Sequence, residues 1–249
     1  MTQQKTIGWL LITGAIGVLI PYTILTITFE YPDILRQDTA TILTKFHEAG
    51  NQLIWTWLAF ALIGLPLIPA YIRIGQALEN KSSLVRTATT IGVIGLVVQV
   101  IGLLRWTFVV PVIANSYVST TADATRAAAI MNFKTMHQFA GVLLGEHLGQ
   151  LLTITWTVLM TITFSKLKLV PAWVNILGAL SAFIYFLAQA ELLATVMPGF
   201  PVWDPAGFIG STLWLVWLLI IGILFLRKHG RAGLNAERPV TIKGPVSEG

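Results

Sequence analysis

An all-α integral membrane protein with six transmembrane helices is the fold class predicted by this 249-residue sequence, and three observations carry the prediction. Hydrophobic residues make up 55% of the chain and charged residues 11%, too little polar surface for a water-soluble domain. Apolar runs of roughly 20 residues, enough to cross the ~30 Å hydrocarbon layer as helix, recur along the chain. Basic residues sit in short groups between alternate runs, as topology signals do. Because the net charge of +5 is spread over those groups and not gathered in one patch, no nucleic-acid partner is expected. The absence of cysteine excludes a disulfide frame, a thiolate metal site and a cysteine nucleophile.

The first span covers Ile7 to Phe29, with Pro21 placed to kink it. It resembles a signal peptide only loosely, since Lys5 is the one preceding basic residue and no small-residue cleavage site follows, and it reads as a retained anchor. In the polar connection from Glu30 to Gly50, Ile42, Leu43 and Phe46 fit one side of a short interfacial helix after Asp38 or Thr39. The second span runs from Gln52 to Arg73, and Pro66 and Pro69 predict a bend or break in it. The third covers Thr87 to Val112, with Gly95, Gln99 and Gly102 near one face and Arg105-Trp106 late in the run. The connection from Asn115 to Met136 contains a second candidate interfacial helix at Ala127 to Ile130, preceding a fourth span that ends near Ser165. Lys166 and Lys168 mark a short turn, and Pro171 suits the first turn of a fifth helix running to Thr195. After the break at Pro198 to Pro201, Asp204 and Pro205 read as N-cap and N1 of a sixth helix ending at Leu226. One membrane domain, residues 1–226, is therefore expected, followed by a polar tail, 227–249, whose composition predicts disorder.

Charge bias supports the same topology independently of hydropathy. The Arg73 to Arg86 loop, the Lys166/Lys168 turn and the tail beginning Arg227-Lys228 are basic, which predicts both termini in the cytoplasm. Counting about 20 helical residues from each basic group across the membrane reaches one common level. Arg105, Glu146, His147, Gln189, Glu191 and Asp204 fall near that outer boundary, with His47, Glu48 and His137 above it and Gln99 and Gln150 deeper. Trp55, Trp57, Trp106 and Trp203 at similar height predict an outer aromatic belt, with Trp9 and Trp173 on the inner side.

Gly141, Gly145 and Gly149 recur every four residues beside the Glu146-His147 pair, a ridge that lets another helix backbone approach closely. The candidate ligand-binding set is Arg105, Glu146, His147, Gln150 and Glu191. Three readings of it stay open: Arg105 pairs with Glu146 or Glu191 and fastens helices three to five; the polar side chains reach the interface separately; or an outward-facing vestibule forms. In the vestibule Arg105 would hold an anion or carboxylate while Glu146 and His147 bind or exchange a proton. His47, His137 and His147 are candidate metal ligands, but His137 and His147 are ~15 Å apart along a continuous helix, too far to share an ion. No metal or other cofactor is predicted. No serine-nucleophile elbow, phosphate loop, dinucleotide fingerprint or zinc-protease motif occurs.

Gly145-Glu-His-Leu-Gly149-Gln-Leu-Leu, the Leu169-Val-Pro-Ala-Trp-Val-Asn-Ile-Leu-Gly178 turn into span five and Gly207-Phe-Ile-Gly-Ser-Thr-Leu-Trp-Leu-Val-Trp217 together resemble the bacterial family catalogued as domain of unknown function 4386. The resemblance covers most of the six spans and implies a multi-spanning protein of a bacterial cytoplasmic membrane. That family has no established activity, so the resemblance carries over no catalytic residues. The leading functional expectation is binding, transport or sensing of a small amphipathic or anionic ligand, with the bilayer as partner. The alternatives are a metal- or redox-dependent membrane enzyme and an accessory subunit docking to other membrane proteins.

Overall fold

The computed structural model describes residues 3–236. Six helical stretches long and apolar enough to cross a membrane account for almost all of it, and no strand occurs among the described residues. The first is α1 (Gln3–Phe29), and a 3-10 turn at Asp33–Arg36 leads out of it. The second consists of α2 (Thr39–Leu62) and α3 (Leu67–Leu78), separated where Pro66 precedes α3. The break is the one the prolines predict, because Pro66 and Pro69 cannot donate to the preceding turn.

The third stretch is α4 (Leu84–Phe108) followed by α5 (Val110–Val118), with Pro111 in the first turn of α5. The fourth runs unbroken through α6 (Asp123–Met136), a π-wound segment (His137–Leu148) and α7 (Gly149–Lys166). The fifth is α8 (Ala172–Leu187) with the short α9 (Gln189–Ala194), and the sixth is α10 (Ala206–Ala236). Helix α10 runs past the expected end at Leu226, so the first part of the expected disordered tail is helix. The rest of the expected tail, 237–249, lies outside the described residues.

The six stretches close into a ring. Contacts run from α1 to α10, α10 to α8, α8 to α7, α7 to α4, α4 to α2 and α3, and from α2 and α3 back to α1. Each stretch thus lies beside its sequence neighbours, and the first and sixth stretches meet. The start of α1 and the end of α3 share one end of the ring, where Gln3 Nε2 donates to the Arg73 carbonyl at 3.5 Å. Outward-facing side chains are apolar along the spans: Ile20, Ile27, Ile101, Phe183 and Phe208 are all more than half exposed, a surface suited to lipid.

Two separate apolar cores fill the ring. The core nearer the termini is built around Tyr71 stacked on Trp156 at 3.6 Å, with Trp217 edge-on to Trp156 at 5.8 Å. The core at the other end joins Phe29, Phe46, Trp57, Trp106 and Phe133 with Ile34, Ile42 and Leu43. In it Trp57 stacks on Trp106 at 4.7 Å, and both indoles are fully buried. The expected outer aromatic belt therefore loses Trp57 and Trp106, which face inward, whereas Trp55 (67%) and Trp203 (47%) are exposed. Ile42, Leu43 and Phe46 face this core as well, from the part of α2 that precedes Gly50, where a non-helical backbone kinks the helix before the span. Ala127 to Ile130 lie within α6, which runs on into the π segment.

The helices are interrupted between these cores and at the edge of the second. In α2, Gly50 has φ 61° and ψ −152°, a conformation open in practice only to glycine. Val109 separates α4 from α5, Ala188 separates α8 from α9, and the π winding lies opposite them in the fourth stretch.

Candidate functional site

A polar layer lies where the helices change course. Arg105 comes from the last turn of α4, is 6% exposed, and lies against the face of Gly141 in the π segment. Its Nη1 donates to the Gly102 carbonyl at 2.6 Å, and its Nη2 lies 3.5 Å from His137 Nδ1, which must accept because a guanidinium only donates. The guanidinium carbon sits 5.3 Å from the Trp106 ring centroid. Its Nε has no partner, and no ion pair joins Arg105 to any described carboxylate.

That arrangement corrects part of the expected set. Glu191 forms an ion pair with Arg36 at 3.0 Å, and Arg36 also holds Asp33 at 3.1 Å. Arg36 sits in the 3-10 turn, which brings it over α9; an exposed pair costs less desolvation than drawing Glu191 in to Arg105. The reading in which an Arg105 ion pair fastens the helices is overturned: neither Glu146 nor Glu191 forms one with it. Two apolar surface grooves lie elsewhere, one between α7 and α8 around Val158 and Phe183, the other on α2 around Trp55 and Leu58, and neither contains a candidate residue.

Glu146 occupies the middle of the layer. Arg105 from α4, Tyr31 from the connection after α1, Tyr185 from α8 and Glu191 from α9 all interact electrostatically with its carboxylate. Burial pushes the Tyr31 hydroxyl up from its ordinary value, with the Glu146 charge acting in the same direction, so it stays a neutral hydrogen-bonding group.

His147 and Gln150 join through an intermediary. Gln189 Nε2 donates to Gln150 Oε1 at 2.7 Å, which leaves Gln189 Oε1 to accept from His147 Nδ1 at 2.8 Å. His147 therefore carries its proton on Nδ1 when neutral and keeps Nε2 as a lone-pair acceptor. Deeper in the ring, Gln99 Nε2 donates to the Gly149 carbonyl at 2.9 Å and to Thr153 Oγ1 at 2.8 Å.

The glycines set the depth of this layer. A Cβ on Gly102 would stand 2.5 Å from the Gly145 Cα and 2.8 Å from the Ala140 carbonyl oxygen, so α4 and the π segment meet backbone to backbone. Gly141 leaves the space that the Arg105 guanidinium fills, and Gly149 leaves that of Gln99. The sequence reading treated this segment as regular α-helix; its π winding is not signalled by hydropathy, because it depends on the neighbouring backbone.

The candidate metal ligands are dispersed. His137 stacks on Phe133 at 5.5 Å, His147 is bonded to Gln189, and His47 is exposed. Among the described residues no group of three or more His, Cys, Asp or Glu side chains is placed to share an ion. Tyr31 and Tyr185 were missed from sequence. The spacing of Tyr185 and Gln189, four apart on one helical face within an apolar run, was a usable signal for the second of them.

The fold and this interior define a multi-pass α-helical membrane protein with a layer of polar side chains between two aromatic cores. Over residues 6–222 the chain matches the family described as Domain of unknown function (DUF4386), and it belongs to that family. No curated protein and no solved structure matches it.

Proposed function

We propose that the protein binds a small amphipathic oxyanion at the polar layer, with Arg105 as the anion-holding group. The observation that carries this reading is a buried guanidinium with an unpartnered Nε and no ion pair to a described carboxylate. Burying an unpaired charge costs several kcal/mol, and a carboxylate, sulfonate or phosphate oxygen placed on the guanidinium would offset much of that. Gln189, His147 and Tyr185 are further hydrogen-bonding groups available to the ligand.

Positive charge at the end holding Lys5, Arg73, Arg86, Lys166 and Arg227 supports a reading in which that end faces the cytoplasm and the polar layer lies toward the outer side of a bacterial cytoplasmic membrane. Titration calorimetry of the full chain in lipid nanodiscs tests the site, with hexanesulfonate as probe and hexanol as the uncharged control. Hexanesulfonate is expected to bind saturably and Arg105→Gln to weaken it about ten- to a hundredfold, the range for losing a charged hydrogen-bond partner. Equal affinity of wild type and Arg105→Gln would overturn the reading.

A further inference from the structure

Lys166 and Lys168 turn the chain from α7 into α8, and neither forms an ion pair with a described residue. No acidic residue occurs between Glu146 and Glu191, so nothing along this part of the chain balances their charge. On α7, Ile154, Val158, Ile162 and Lys166 recur every four residues and form one stripe, whose last member replaces a branched apolar side chain with an ammonium group. The three apolar members line the groove between α7 and α8.

That groove is a slot of about 320 Å³ on the outside of the ring. Buried Ile154 and Ala182 form its floor, while Val158 and Ile162 on the α7 side and Phe183 and Phe186 on the α8 side stand exposed as its rims. A neighbouring helix, ~10–12 Å across with its side chains, would rest on those rims, whereas a single hydrocarbon chain can lie between them. Length agrees with this. The twelve residues from Ile154 to Lys166 span ~18 Å of helix, against ~15 Å for half of the hydrocarbon layer. Trp173, 55% exposed in the first turn of α8, stands near the level of the lysines, where amphipathic rings favour the headgroup region.

We infer that this groove binds an anionic phospholipid, with one acyl chain between the α7 and α8 rims and the phosphate on Lys166 and Lys168. The chain gains apolar contact along the slot, and the ammonium groups give charge-assisted hydrogen bonds at its end. The site shares no residue with the Arg105 layer and does not depend on an oxyanion binding there.

Native mass spectrometry of the full chain in detergent tests this, with phosphatidylglycerol and phosphatidylcholine of identical acyl chains added in equal amounts. Wild type is expected to retain phosphatidylglycerol preferentially. Lys166→Gln combined with Lys168→Gln is expected to lower that preference roughly ten- to thirtyfold, the range for two basic groups at a lipid surface. Arginine at both positions is expected to keep it. Ala179→Phe, at an exposed position lining the groove, is expected to fill the slot and displace bound lipid while leaving both lysines in place. Equal retention of the two lipids by wild type would overturn the assignment, as would a preference that survives loss of both lysines. Lipid binding indifferent to Ala179→Phe would put the chain outside the groove and also overturn it. A lipid-free wild-type dimer that Ala179→Phe converts to monomer would make a second copy the occupant, with the same consequence.

Discussion

Arg105, Gln189 and Asp38 show how differently single polar side chains contribute according to depth. Arg105 is held by its own helix and an aromatic face, contacts that do not neutralise it, which is why it reads as a binding group and not as a structural cross-link. Gln189 bridges two partners in the interior, so Gln189→Leu is expected to leave His147 Nδ1 and Gln150 Oε1 unsatisfied and cost ~1–3 kcal/mol. Denaturant unfolding in detergent would read this as a lower midpoint. Asp38 is exposed and caps α2 by accepting from the Thr41 backbone N–H at 3.0 Å. The hydrogen bonds from Thr41 hold its carboxyl below the ordinary value of 3.8. A lowered folded value means that the cap's stabilisation is complete above pH 3.8 and is lost as pH falls through the folded value. The stability difference between wild type and Asp38→Asn should therefore shrink as pH is lowered through that window; a difference constant from pH ~6 to ~2 would contradict it.

At the scale of the element, close approach of backbones decides the geometry. The α4 and π-segment backbones touch at Gly102 and Gly145, where no flexible side chain can yield. Gly102→Ala is thus expected to destabilise by ~1–3 kcal/mol, the usual cost of overpacking, and to displace Arg105 one turn further on. Gly64→Ala is the internal control, since its Cβ would meet only Val18 Cγ2, at 3.5 Å. Comparable melting temperatures for the two variants would argue against the backbone contact. Gly50 offers a different test: space is open around it, but its backbone angles disfavour any side chain, so Gly50→Ala should cost ~1–3 kcal/mol through strain alone. The two elements therefore need glycine for separate reasons, one for room and one for conformation.

On the scale of the whole molecule, the ring has two ends of different character, and the chain's lack of cysteine makes them easy to tell apart by labelling. Ser83 lies between α3 and α4 at the end with the termini, and Ser119 lies between α5 and α6 at the other. Cysteine placed at Ser83 is expected to react with an impermeant maleimide only from the cytoplasmic side of sealed vesicles, and cysteine at Ser119 only from the opposite side. Labelling of both from one side would invalidate the six-span path. The sequence by itself determined how many spans there are, where the chain turns, and the shared level of Arg105, Glu146, His147 and Gln189. Those are properties of hydropathy, charge and rise per residue, all local to the chain. Only the tertiary structure decided which way the groups face around the ring: Glu191 toward Arg36, and Trp57 and Trp106 into a core. Facing depends on which helix stands opposite and how closely its backbone comes, as Gly102 does against Gly145, and no pattern within a single span records that.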